Sequence, residues 1–211
     1  MSVITKVTVT CPDCKAEHQL ELARSLNTRE QPELKAKLLA GTLNLLQCGA
    51  CGRRAPLEGD FLFHDPDRQY FCQVVPGGEL KMEKAARDFT HSGATGTLRL
   101  VPSMNALVEK VTLNDAGLDD WVVELAKVLL LSSLPEHDLN QVLLFDAVDR
   151  EAKLVRWVLP GAPRGTPPVL HSALDKLVES TGHWSSLSPG KGELRIDRLW
   201  AVTALSKVAQ A

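Results

Sequence analysis

No apolar run in this 211-residue chain approaches the roughly 20 residues that cross a bilayer. The most apolar stretch, Trp121 to Leu131, is interrupted by Glu124 and Lys127. The first ten residues alternate apolar and polar side chains, which reads as a strand and lacks the unbroken apolar core of a secretory leader. Neither charge is in excess: 24 Lys and Arg face 26 Asp and Glu, a formal net charge of -2 with pI ≈ 6.3. Such a balance lacks the positive field on which non-specific nucleic-acid binding depends. Catalytic signatures are missing as well. There is no His-Glu-x-x-His, no Walker loop, no Gly-x-Ser-x-Gly and no dinucleotide fingerprint. Gly93-Ala94-Thr95-Gly96 is glycine-rich but has no lysine and no strand–loop–helix context, so it reads as a flexible loop and not as a phosphate cradle. These absences lead us to expect a soluble, cytoplasmic, non-enzymatic protein with no membrane contact.

What is present is cysteine in a particular arrangement. Five cysteines, an odd number in an intracellular-looking chain, favour metal binding over disulfides. Four form the pairs Cys11-Pro12-Asp13-Cys14 and Cys48-Gly49-Ala50-Cys51, with 33 residues between them. Two such pairs supply four soft thiolates, the number a closed tetrahedral zinc site takes. The two-residue spacer lets both sulfurs of a pair face one ion while nearby backbone N–H groups point at them. Cys11, Cys14, Cys48 and Cys51 are therefore the expected ligands of one structural Zn²⁺, with iron the other metal that such a set accepts. A thioredoxin-type redox pair is the alternative, but it needs its motif at a strand-to-helix junction, and neither pair opens a helix clearly. Cys72, inside Tyr70-Phe71-Cys72-Gln73-Val74, reads as a buried small hydrophobe. His18 and His64 are candidates for a fifth ligand or for hydrogen-bonding the ligands.

The hydropathy pattern gives an α+β chain. Strands are expected at Val3–Thr10, His18–Leu22, Thr42–Gln47, Asp60–His64 and Gln69–Val75, with a helix from Pro32 to Ala40 between the two cysteine pairs. Pro76-Gly77-Gly78 closes this unit, giving a zinc ribbon with a helical insertion over residues 1–78 and a C-terminal α+β region over 79–211. In the latter, helices are expected at Lys81–Phe89, Met104–Val111, Leu118–Leu131 and Val169–Ser180, and a helix, with a strand as the alternative, over Leu194–Val208. Strands are expected at Leu98–Val101, Gln141–Ala147 and Lys153–Leu159, and a loop at Pro160–Pro168. Asp119 and Asp120 read as caps and dipole partners of their helix. Glu124 and Lys127 read as an i,i+3 pair. Asp65, beside His64, reads as a turn-fixing side chain. Trp121 and Trp157 fit core positions, while Trp184 falls in a loop where it could be exposed.

The sequence resembles the CpXC family. The likeness rests on Val9-Thr10-Cys11-Pro12-Asp13-Cys14 and on the run from Pro32-Glu33-Leu34-Lys35 to Gly41-Thr42-Leu43-Asn44. It continues through Cys48-Gly49-Ala50-Cys51-Gly52, Phe63-His64-Asp65-Pro66-Asp67, Asn105 to Lys110 and Gly117-Leu118-Asp119-Asp120. Gly49 stands where the family usually repeats a proline, and a glycine is permissive in such a turn. The resemblance implies a bacterial or archaeal zinc-ribbon-containing protein, and it implies no activity.

Three functions are compatible with this: a protein-interaction or adaptor module, a nucleic-acid-binding protein, or an enzyme. Residues 1–72 carry nine Lys and Arg against nine Asp and Glu, and Arg53-Arg54 is the single local basic spot. That is a thin footprint for phosphates. A four-thiolate zinc also leaves no open position for catalysis. The expected partner is another protein. Cys11→Ser or Cys48→Ser is expected to unfold the N-terminal unit, because a small core then loses a ligand of its ion, whereas Cys72→Ser leaves the metal bound. Elemental analysis of the purified variants checks this; the opposite pattern reassigns the ligands.

Overall fold

The β-branched opening of the chain forms β1 (Val3–Thr10), paired antiparallel with β2 (Glu17–Asn27) so that Val7 lies opposite Leu20 and Val9 opposite His18. The computed structural model describes residues 2–134, 141–160, 167–190 and 192–209. Helix α1 (Pro32–Leu39) follows, with Pro32 in its first turn and Leu34 and Leu38 buried. The short hairpin β3 (Leu45–Gln47) and β4 (Arg54–Pro56) stands as its own two-stranded sheet. Then come β5 (Phe61–Asp65) and β6 (Tyr70–Val74), α2 (Glu79–His91) and β7 (Thr97–Val101).

The larger sheet runs β1-β2-β5-β6-β7. Its two parallel contacts, β2 with β5 and β6 with β7, set the architecture. Parallel neighbours cannot be joined by a tight turn and need a crossover of a dozen or more residues. The first crossover carries α1 and the β3–β4 hairpin; the second carries α2. Along β5 and β6 alternate residues are buried, with Phe61, Phe63, Asp65, Tyr70, Cys72 and Val74 the most enclosed. The Lys35 ammonium of α1 lies 6.0 Å over the Phe63 ring, and Phe89 of α2 meets Phe71 edge-on at 6.4 Å. The two helices therefore cover opposite faces of the sheet.

The strand expected at Thr42–Gln47 is shortened to Leu45–Gln47 because Asn44 takes a left-handed φ of 54°. Asn tolerates that conformation, since its short amide bonds locally to backbone. Asn44 Oδ1 accepts from Ala23 N and its Nδ2 donates to Ala23 O, both at 2.8 Å, so one side chain pairs with β2 as a strand would. The loop Gly93–Gly96 serves packing: a Cβ on Gly96 would sit 2.1 Å from the Gln69 carbonyl oxygen, which accepts from Thr97 N.

The chain divides into two units, Met1–Val108 and Glu109–Ala211. The division falls later than the expected 78/79 boundary. Pro76-Gly77-Gly78 lies inside the second crossover, and α2 and β7 complete the sheet that β5 and β6 begin. Helix α3 (Met104–Ala116) runs across the division.

In the second unit, α4 (Asp120–Ser133) is buried from Asp120 through Lys127 without a break. It packs into one core with Phe145 of β8 (Leu144–Asp149), Val155 and Trp157 of β9 (Leu154–Val158), α5 (Leu174–His183) and α6 (Arg198–Ala209). The expected helix Val169–Ser180 is a strand followed by a helix. Residues Val169–Ala173 form β10, paired antiparallel with β9, and Ser172 accepts from Trp157 Nε1 at 2.9 Å. Tertiary pairing here overrides the local pattern. Trp184 is half-buried against the core, not a free loop residue. Of the expected Pro160–Pro168 loop, residues 161–166 lie outside the described residues.

The buried charges of this unit were not legible as such. Asp120, Glu124 and Lys127 recur at helical spacing on one stripe of α4, opposite Glu109 and Lys110 of α3. Lys110 Nζ lies 2.9 Å from Asp120 and 3.6 Å from Glu124, and donates to the Ile196 carbonyl at 2.7 Å. Lys127 Nζ lies 2.7 Å from Glu109 and 3.0 Å from Glu124, and Glu109 accepts from Phe145 N at 2.6 Å. Burial pushes the Glu109 carboxyl above its ordinary range; Lys127 opposes the shift and Glu124 reinforces it. Burial also acts to lower Lys110, but Asp120 and Glu124 outweigh it and raise the ammonium's pKa. Asp120 is thus an ion-pair partner and not the expected cap, and Asp119, at the N-cap, makes no side-chain capping bond.

Removing one member leaves charges uncompensated in a low dielectric. Lys110→Met is expected to cost about 3–5 kcal/mol. A denaturant titration followed by tryptophan fluorescence measures this, because Trp121, Trp157, Trp184 and Trp200 all lie in the second unit. A change below about 1 kcal/mol contradicts a tightly paired network.

Candidate metal centre

The two cysteine pairs occupy the turns of two hairpins, and the turns are built alike. In the β1–β2 turn Cys11 N donates to Ala16 O and Lys15 N donates to Cys11 O. In the β3–β4 turn Cys48 N donates to Arg53 O and Gly52 N donates to Cys48 O, the same bonds at the same offsets. The fifth position of each turn is left-handed, φ 63° at Lys15 and 74° at Gly52. Glycine meets that requirement without steric cost. Lys15 meets it with a side chain whose Nζ donates to Pro12 O at 2.9 Å across the same turn.

These turns bring together the four cysteines named from the sequence. Their sulfurs all lie within 4.8 Å of one another, with Cys11–Cys51 at 3.7 Å and Cys14–Cys48 at 3.5 Å. None is in a disulfide. Zn–S bonds of about 2.3 Å place the corners of a tetrahedron about 3.8 Å apart, so the sulfurs sit near the spacing that such an ion imposes. Among the described residues, this is the one group of three or more His, Cys, Asp or Glu side chains close enough to hold an ion. Cys11 and Cys48 are buried in a small apolar cluster with Leu46, lined by Val9, Ala16, Leu20 and Leu57. Cys14 and Cys51 face solvent.

The thiols interact strongly. Backbone N–H groups of Cys14 and, more weakly, Asp13 draw the Cys11 thiol down to about 7, helped by hydrogen bonds from Cys14 and Cys51 and opposed by burial. Arg53 N–H favours the Cys51 thiolate, yet the sulfurs of Cys14, Cys48 and Cys11, together with burial, push it up to about 12. Cys14 rises for the same reason: the sulfurs of Cys48 and Cys11 and burial outweigh the pull of Ala16 N–H. The Cys11 thiolate is favoured while Cys14 and Cys51 resist ionising, which is the behaviour of clustered like charges that a dication relieves.

Around the sulfurs, His18 Nε2 lies 3.2 Å from Cys48 Sγ, where an Nε2–H donates to a thiolate. The sequence reading of His18 as a hydrogen-bonding neighbour fits this position. Arg53 Nε approaches Asp13 Oδ2 at 3.7 Å and ties one turn to the other. His64 lies elsewhere in the first unit, stacked on Phe71 at 3.9 Å. Burial lowers its pKa, with a smaller contribution from the N-terminal charge. Asp65, expected to hold its turn through backbone hydrogen bonds, is 2% exposed and pairs with Arg68 Nη1 at 3.2 Å and Lys35 Nζ at 3.6 Å. Cys72 is fully enclosed in β6 opposite Phe63, apart from the four-sulfur group.

Two like turns presenting four clustered thiols define a four-cysteine centre able to hold a metal ion. The family model described as CpXC protein matches residues 9–127, more than half of the chain, and the chain belongs to the CpXC family. No curated protein and no solved structure matches it. Among the described residues, no helix is long and apolar enough to cross a membrane.

If His18 supports the Cys48 thiolate, His18→Phe weakens zinc binding about 10- to 100-fold without removing a ligand. Competition against a chromophoric chelator measures the change, and an unchanged affinity removes His18 from the centre.

Proposed function

We propose that this chain is a zinc-ribbon protein in which Cys11, Cys14, Cys48 and Cys51 hold one structural Zn²⁺, and that it acts as a protein-interaction or adaptor module and not as an enzyme. The observation that carries the reading is the pair of matching turns whose four sulfurs converge within 4.8 Å of one another. Four thiolates saturate zinc, so the ion joins chain segments and offers no open position to a substrate. The cluster beneath it is too small to hold the β3–β4 hairpin unaided, and a metal supplies folding free energy in such cases. Charge supports a protein partner over nucleic acid: the first 72 residues are balanced, and Arg53, beside the second turn, already faces Asp13. We place the protein in the cytoplasm, where thiols stay reduced and available to zinc.

The test is a tagged pull-down of the full chain from native lysate, with and without nuclease, read by mass spectrometry alongside elemental analysis. One zinc per chain and a near-stoichiometric protein partner that survives nuclease is the expected result. Partners that disappear with nuclease overturn the charge argument in favour of nucleic-acid binding.

A further inference from the structure

Each exposed cysteine of the centre has its sulfur beside that of a buried cysteine of the opposite turn. Cys51 Sγ lies 3.7 Å from Cys11 Sγ, and Cys14 Sγ lies 3.5 Å from Cys48 Sγ. The exposed member is where a diffusing oxidant arrives, and the buried member is where the oxidised sulfur finds its partner. We propose that Cys14 and Cys51 are sites of reversible oxidation by peroxides, resolved across the turns by Cys48 and Cys11, so that the centre releases its ion under oxidative stress. This rests on the zinc reading above.

The chemistry closes on these four groups. In the zinc-loaded chain Cys51, as a ligand, is held as a thiolate; it attacks one oxygen of hydrogen peroxide, the O–O bond breaks, and a sulfenic acid forms with loss of hydroxide. The Cys11 thiolate then attacks that sulfur, the S–O bond breaks, a second hydroxide leaves and the disulfide is made. Cys14 and Cys48 repeat the sequence with a second peroxide. Two peroxides thus accept four electrons from four thiolates, giving two disulfides, four hydroxides and free Zn²⁺, which never changes oxidation state. A disulfide needs its sulfurs at about 2.05 Å, so each pair closes by about 1.5 Å. Once bonded, the sulfurs cannot ligate, because the metal takes thiolates. Cys72, fully enclosed in the sheet, stands outside the reaction.

The experiment uses the full chain loaded with zinc and titrated with hydrogen peroxide, with released zinc read by a chromophoric chelator. Free thiols are then blocked under denaturing conditions and the chain is cut with trypsin. Cleavage puts Cys11 and Cys14 together on residues 7–15, and Cys48 and Cys51 together on residues 38–53. The expected result is one zinc released per chain, the two peptides recovered as one cross-linked species, Cys72 blocked as a free thiol, and rebinding of zinc after reduction. Two separate peptides, each carrying an internal disulfide, overturn the cross-turn pairing. Zinc retained at peroxide levels that fully oxidise a free thiol overturns the switch. A chain that carries no zinc before oxidant is added overturns the metal reading itself, so the two failures are told apart at the first step.

Discussion

Parallel pairing of β2 with β5 is the constraint from which the N-terminal unit follows. Two parallel strands leave their connection at opposite ends of the sheet, so the chain must travel back before it can pair again. Here the return is made by α1 and then by a small hairpin, and that hairpin carries the second cysteine pair. The 33-residue gap between the pairs holds β2 itself, α1 and β3.

The return journey delivers Cys48 and Cys51 to Cys11 and Cys14 through two devices. Asn44, in its left-handed conformation, lends its amide to Ala23 as though it were one more strand residue and fixes where the hairpin departs from β2. The turns themselves repeat one hydrogen-bond pattern, so each aims two sulfurs and several N–H groups toward a common point. What remains is electrostatic. The clustered sulfurs help to lower the acidity of Cys51, and backbone N–H groups favour the thiolates of Cys11 and Cys51. A dication at the common point satisfies all of these demands together.

The second unit solves a different problem by different means. Its central helix is enclosed, and yet it carries three ionisable side chains. They are tolerated because they share a stripe facing Glu109 and Lys110, and because the carbonyl of Ile196 and the N–H of Phe145 take up capacity that the ion pairs leave over. Such a network contributes little net stability compared with an apolar core, but it penalises any packing that separates its members.

The sequence alone determined the chemistry of the centre and most of its local frame. Two Cys-x-x-Cys pairs name four candidate ligands whatever the fold, and the alternation of Val and Thr, the proline-led helix and the Asp-Pro-Asp turn specify local backbone through sterics that act over a few residues. Tertiary structure alone decided what depends on distant neighbours. Val169–Ala173 became a strand because β9 offered an edge to pair with, and the first unit ran on to Val108 because β7 found β6. Glu124 and Lys127 read from sequence as an i,i+3 pair on one helix. Only the arrival of α3 and the residues around Phe145 and Ile196 makes them buried, since burial is a property of what surrounds a side chain and not of the side chain itself.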